Sequence, residues 1–378
     1  MRRFVIGLLL LFAACGQAQG GSSNSPLASA PASPTATSPG MLLFAVLEAK
    51  IPGSPHTWNT VAIAGLDGYA KAKTTFIPMP VPDLGCMGAV LSQSAHVAAG
   101  KAYFADGKGV VRSLSIQGQV IKVATFPMTS SQQMLSFAVS PDGSRLLGTV
   151  FTLPAKPNLA CNGSPATGYA LDVYSAPAGG SSTLLYHQSL QSPPSSVMAL
   201  TGWDAVGPVG TYPTVWASQG GGPASELGVA VRIDAGTGKV LRQVADPNSC
   251  LVWETAASGD FVCIPAASAR VSVRRSDGTE IWQFTPTAPV NALFKPFLAP
   301  DEQHLVVGGA GEDIEQVGAK DGSRINLTSA LFGVAGWLNS TTVLGGTSGG
   351  GLAYVRLSAP LTAVSMGFSG LFVGTVQN

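Results

Sequence analysis

Short apolar runs and polar turn formers succeed one another along this chain. From residue 41 onward, apolar runs of five to eight residues are cut by Gly, Pro, Asp, Asn and Ser, beginning with Leu42-Leu43-Phe44-Ala45-Val46-Leu47. No stretch keeps a 3.6-residue period long enough to predict an amphipathic helix. Short apolar runs bounded by turn formers predict β-strands instead. A turn with Gly or Pro at its centre recurs at Asp67-Gly68, Gln117-Gly118, Gly179-Gly180, Thr237-Gly238, Asp277-Gly278, Asp321-Gly322 and Ala359-Pro360. The spacing of about 40 to 60 residues is that of a repeated supersecondary unit.

A second hairpin precedes several of these turns. Phe137-Ala138-Val139-Ser140-Pro141-Asp142-Gly143-Ser144-Arg145-Leu146-Leu147 is the clearest, and Phe297-Leu298-Ala299-Pro300-Asp301-Glu302-Gln303-His304-Leu305 repeats it. Pro sets φ at the first turn position, and Asp or Gly supplies the rest of the turn chemistry. Trp337-Leu338-Asn339-Ser340-Thr341-Thr342-Val343 is a weaker third copy. Each unit thus reads as four strands, a to d, with tight a–b and c–d turns.

Ser140-Pro141-Asp142-Gly143-Ser144-Arg145 resembles the strand-turn-strand repeat of TolB-type and WD-like β-propellers. Arg232-Ile233-Asp234-Ala235-Gly236-Thr237-Gly238 and Asp277-Gly278-Thr279-Glu280-Ile281-Trp282 are similar to the repeat of pyrroloquinoline-quinone-type propellers. Most units lack the Trp, and none ends in the WD dipeptide; Trp203-Asp204 lies early in its unit and receives no weight. The resemblance implies an all-β, seven-bladed β-propeller, with six or eight blades as alternatives and a β-sandwich pair as the other architecture. The units run roughly over 41–80, 85–127, 133–190, 197–246, 247–288, 290–330 and 331–378. The first lacks its innermost strand and the last carries a spare one, Leu371-Phe372-Val373-Gly374-Thr375-Val376. The expectation is that this tail fills the gap, closing the ring and hiding its edges.

Composition fits many short strands: 46 glycines, 46% hydrophobic residues and only 11% charged ones in 378 residues. The N-terminus supplies an address. Met1-Arg2-Arg3, an apolar run from Phe4 to Phe12 too short to span a bilayer, and Ala13-Ala14-Cys15-Gly16 have the layout of a secretory signal. They resemble the lipobox of bacterial lipoproteins, although Phe12 stands where that family usually has Leu. The resemblance implies a signal peptide over 1–15, Cys15 as the acylated N-terminus and an anchor on the extracytoplasmic side of the membrane, in the cell envelope. Removal of Arg2 and Arg3 leaves 19 basic against 20 acidic residues, a net charge of −1. Without a basic patch nucleic acid is not an expected partner, and attachment to the membrane comes from acyl chains. Residues 16–40, almost all Ser, Pro, Ala, Gly and Thr, predict a disordered tether ahead of the propeller domain, 41–378.

Four cysteines remain: Cys86, Cys161, Cys250 and Cys263. In an exported chain an even number predicts two disulfides. Three pairings are open. Mapped on the propeller repeat, the expectation is Cys250–Cys263 within one blade and Cys86–Cys161 between neighbouring blades.

In a propeller the b–c and d–a connections share one face and the a–b and c–d turns the other. The b–c connections here are often long, at 51–58, 153–168, 218–226, 308–314 and 346–351, and long loops on a rigid scaffold carry binding residues. His56, Trp58, Glu312 and Asp313 are the candidate residues of this binding face. No catalytic motif appears: the histidines His56, His96, His187 and His304 have no metal spacing, and there is no G-x-S-x-G elbow or P-loop. No cofactor and no metal are expected. The expected function is a monomeric binding or scaffolding module for a protein, peptide or envelope glycan. The alternative is a propeller hydrolase, lactonase-like enzyme or quinoprotein with its site at the channel mouth.

Overall fold

A computed structural model describes residues 42–49, 58–80, 82, 89–90, 95–155, 168–190, 196–213, 222–223, 228–246, 250–264, 270–286, 294–309, 316–327, 330–358 and 360–376. These residues build seven four-stranded antiparallel sheets, and the fold is a seven-bladed β-propeller. Blade 1 consists, from the inside outward, of Leu371–Val376, Leu43–Ala49, Trp58–Gly65 and Ala70–Thr75. Blade 2 is Ala95–Ala98, Lys101–Ala105, Val110–Leu114 and Val120–Thr125; blade 3 is Gln133–Val139, Arg145–Thr152, Tyr169–Pro177 and Thr183–Leu190. Blade 4 is Ala199–Trp203, Pro208–Pro213, Gly228–Ile233 and Val240–Gln243; blade 5 is Leu251–Thr255, Phe261–Ile264, Val271–Arg274 and Glu280–Phe284. Blade 6 is Phe294–Leu298, His304–Gly309, Gln316–Ala319 and Arg324–Asn326; blade 7 is Val334–Asn339, Thr342–Gly346, Leu352–Arg356 and Ala363–Ser365.

The core is divided among the seven interfaces between neighbouring blades. Side chains of a strand point alternately to the two faces of its sheet, and in a propeller both faces are covered. Leu43, Ala45 and Leu47 therefore pack with Ala102, Phe104 and Leu114 of blade 2. Phe44 and Val46, between them in sequence, pack with Leu338, Leu344 and Tyr354 of blade 7. All five are fully buried. This two-sided burial explains why the chain shows continuous apolar runs instead of an alternating pattern. Each large side chain so buried contributes roughly 1.5–3 kcal/mol relative to exposure.

Three interfaces close by an aromatic ring seated on a glycine, Phe372 of blade 1 on Gly336 of blade 7 among them. The Phe126 ring of blade 2 covers Gly148 of blade 3, where an added Cβ would lie 2.7 Å from the ring. Phe284 of blade 5 covers Gly318 of blade 6 in the same way.

The spare C-terminal strand does complete blade 1. Leu371–Val376 pairs antiparallel with Leu43–Ala49 in the register Leu43↔Val376 to Leu47↔Leu371, with a bulge between Ala45 and Val46. Phe372 reaches Phe44 at 6.4 Å between ring centroids, and the last hydrophobic residue of the strand, Val376, is buried. Blade 1 thus joins the two ends of the described chain and has the same four strands as the other six blades.

Candidate functional site

Each inner strand begins on the face of the d–a and b–c connections and ends on the face of the tight turns. Six of the c–d turns place a glycine at positive φ: Gly68, Gly118, Gly179, Gly238, Gly278 and Gly322, at 70 to 92°. That conformation is open to glycine at little cost, which is why the period is legible in the sequence. The carboxylates of Asp67, Asp142, Asp234, Asp277 and Asp321 accept backbone N–H bonds two residues on, as in Ser323 N–H to Asp321 at 2.8 Å. These bonds favour the ionised form. Asp142 is held to about 2, chiefly by the Ser140 hydroxyl and then by the Ser144 backbone and side chain.

The same face is laced from blade to blade. Ala99 N–H donates to Pro141 O at 3.2 Å, Ala205 N–H to Ala257 O at 2.8 Å, and the Ser258 hydroxyl to Glu302. Arg145 donates to Ala235 O at 3.1 Å and Arg242 to Ser276 O at 2.9 Å. The strongest tie is buried. Arg232 and Asp204 are both 3% exposed and meet at 2.5 Å. Asp204 also accepts from Val206 N–H, and Arg232 reaches Gly259 O of blade 5 at 3.2 Å. A buried pair is held by such extra bonds, because attraction alone does not offset desolvation.

The connection face differs. Its described residues include three exposed apolar side chains: Ile77 between blades 1 and 2 (55% exposed), Phe332 between blades 6 and 7 (56%), and Leu371 at the mouth end of the innermost strand of blade 1 (43%). Ala89–Val90, between blades 1 and 2, pairs in parallel with Gly222–Pro223 of the b–c connection of blade 4. Blade 3 stands between these two sectors, so this pairing joins connections that the ring itself keeps apart.

His96 lies on the innermost strand of blade 2, with its ring edge-on to Phe137 of blade 3 at 5.0 Å. Its Nε2 is shielded from solvent and has no partner among the described residues. Burial pushes the imidazole down to about 4, against the opposing pull of a hydrogen bond to the Phe137 backbone. It is therefore a neutral ring at physiological pH, with one nitrogen still unsatisfied.

Of the residues anticipated from sequence, Cys250 and Cys263 form a disulfide, with 5.2 Å between their Cα atoms. It ties the start of blade 5 to its second strand, within one blade. Trp58 is the first residue of a strand, half-buried, and packs on the cluster between blades 1 and 2 beside Phe76 and Val97. His56, Glu312, Asp313, Cys15, Cys86 and Cys161 lie outside the described residues. Among the described residues no three His, Cys, Asp or Glu side chains stand together to hold a metal ion.

Sequence reading missed Asp204, whose partner is 28 residues away, and also a hydrogen-bonded row on blade 3. There, His187 Nδ1 lies 2.6 Å from Asp172 Oδ1, and Nε2 lies 2.9 Å from Ser189 Oγ. The order Ser–His–Asp is that of a nucleophilic relay. However, the row stands on the open outer strand, with the His187 side chain 52% exposed. Nucleophilic catalysis depends on donors aimed in a water-excluded site, and a strand surface of this kind does not make one. What the row does is fix the imidazole along the strand.

No family model and no curated protein matches the chain. Its structure is similar to that of a protein from Lactobacillus plantarum (11% identity over 89% of this chain and 99% of that one, TM-score 0.47). It is also similar to oligogalacturonate lyase in complex with manganese (8%, covering 84% and 91%, TM-score 0.46) and to TolB from Acinetobacter baumannii (13%, covering 89% and 67%, TM-score 0.42). At these identities the activities of those proteins do not carry over.

Proposed function

We propose that this chain is a lipid-anchored, extracytoplasmic binding module. Its acyl chains on Cys15 hold it to the membrane, residues 16–40 act as a tether, and the connection face takes up a protein, peptide or envelope glycan. The observation that supports this reading is the coincidence of long b–c connections and exposed apolar side chains on one face. Apolar exposure itself is not confined there, since Tyr69 and Val206 of the tight turns are 71% and 50% exposed. The connection face exposes Ile77, Phe332 and Leu371, and its long loops add the candidate residues His56, Glu312 and Asp313. Exposed apolar side chains rimmed by polar loops are the usual composition of a recognition surface.

Photo-crosslinking side chains placed at Ile77 and Phe332 test it in intact cells, with Tyr69 and Lys239 on the turn face as controls. Discrete adducts from the first pair and none from the second are expected. Equal yields from both faces would sink the assignment. For the anchor, Cys15→Ser should release the protein from the membrane fraction; unchanged partition would refute it.

A second reading, an enzyme at the channel mouth, draws on one observation, the unsatisfied Nε2 of His96. It requires that His96→Gln abolish turnover of a substrate while leaving the unfolding midpoint at pH 7 in place.

A further inference from the structure

Among the described residues every blade ends in an outer strand whose far edge makes no sheet pairing, and such edges recruit other strands unless something blocks them. Charged side chains on the strand, lysine above all, or very short length, are among the usual blocks. Six blades have one or the other. Ala70–Thr75 carries Lys71 and Lys73, Val120–Thr125 carries Lys122, and Val240–Gln243 carries Arg242. Glu280–Phe284 begins with Glu280, Arg324–Asn326 with Arg324, and Ala363–Ser365 is three residues long.

Blade 3 has neither. Its outer strand, Thr183–Leu190, is eight residues of Thr, Leu, Leu, Tyr, His, Gln, Ser and Leu, none of them buried. Its one basic side chain, His187, is turned to Asp172 and Ser189 of its own blade. The pairing with Tyr169–Pro177 carries one bulge, at Leu185 of the outer strand, between Tyr186 opposite Val173 and Leu184 opposite Tyr174, and Tyr186–Leu190 runs in regular register. Leu184, near the turn end, is 49% exposed.

We infer that this edge is a homodimer interface, in which Thr183–Leu190 of two copies pair antiparallel about a two-fold axis. The occupant follows from the edge itself. Unpaired N–H and C=O groups at strand spacing accept only an extended strand, and an uncharged edge selects an uncharged one. Thr183–Leu190 is itself such a strand, long and rich in β-forming residues. An isologous pairing satisfies both edges at once and leaves none over. On a membrane, two anchored copies meet at raised effective concentration, but the inference does not depend on the anchor.

Sedimentation velocity on the full chain carrying Cys15→Ser tests it over micromolar to submillimolar concentrations. A concentration-dependent dimer is expected, with the Thr183–Leu190 amides gaining hydrogen-exchange protection as it forms. Gln188→Lys and Leu184→Lys restore the block that the other blades carry and should raise the dissociation constant about tenfold or more. Gln243→Lys, on the outer strand of blade 4, should leave it unchanged. A chain that stays monomeric throughout overturns the inference. So does a dimer that survives both substitutions with those amides unprotected.

Discussion

The two faces of this propeller are built by the same seven repeats and differ in the length of chain between their strands. On the turn face, carboxylates cap turns, and backbone donors of one blade meet acceptors of the next. The exception to exposure there is the Asp204–Arg232 pair, which is buried and multiply bonded. On the connection face, chain length goes into loops, and apolar side chains such as Phe332 stand in solvent. The turn face ties neighbouring blades through Arg145, Arg232 and Arg242, and the connection face carries the long loops, with a tie of its own from Gly107 N–H to Ile77 O. A rigid scaffold under variable loops is how recognition surfaces are commonly supported.

The contrast can be broken most severely at the buried pair. Asp204→Ala leaves Arg232 charged and unpaired between blades 4 and 5 and should cost about 3–5 kcal/mol. Urea denaturation reads it, and a loss under 1 kcal/mol would mean the turn face is not held there. A smaller effect is expected from Gly148→Ala. Its Cβ would overlap the Phe126 ring, and overpacking of this kind costs about 1–3 kcal/mol, seen as a lower midpoint at constant slope.

Acid separates the wall of the ring from its turns. His96 resists protonation in the folded state, so its contribution is whole above its ordinary value of 6.5 and is lost as pH falls toward about 4. Asp142 is ionised in the folded state down to about 2, so its contribution is whole above the ordinary 3.8 and is lost as pH falls through that lower range. Melting temperature against pH should therefore fall in two stages. His96→Gln should remove the first, and Asp142→Asn should blunt the second. The smallest effect belongs to the connection face: Phe332→Ser, at a side chain 56% exposed, should change stability by less than about 0.5 kcal/mol while lowering the yield of crosslinks from Ile77.

Much of the fold is legible in the chain because glycine is demanded where φ is positive. Gly68 through Gly322 mark the c–d turns, and a repeat with one strand missing at its start and one spare at its end points to ring closure. The Cys250–Cys263 pairing was accessible for the same reason, since it lies within one repeat. Asp204 was not, because a two-residue Trp-Asp string says nothing about an arginine on a strand two positions outward in the sheet. Nor was the bare edge of blade 3: an uncharged strand acquires meaning only once it is known to be outermost. Trp58 shows the converse. An aromatic at a loop boundary reads as a binding residue, but the neighbouring blade supplies Val97 for it to pack on.

Closure by the last strand is the feature on which both faces rest. Native-state hydrogen exchange across Leu371–Val376 and Leu43–Leu47 tests it most directly. The two strands should exchange together, only through global unfolding, at the free energy read by urea. Rapid exchange of Leu371–Val376 while Leu43–Leu47 remains protected would contradict the closed ring.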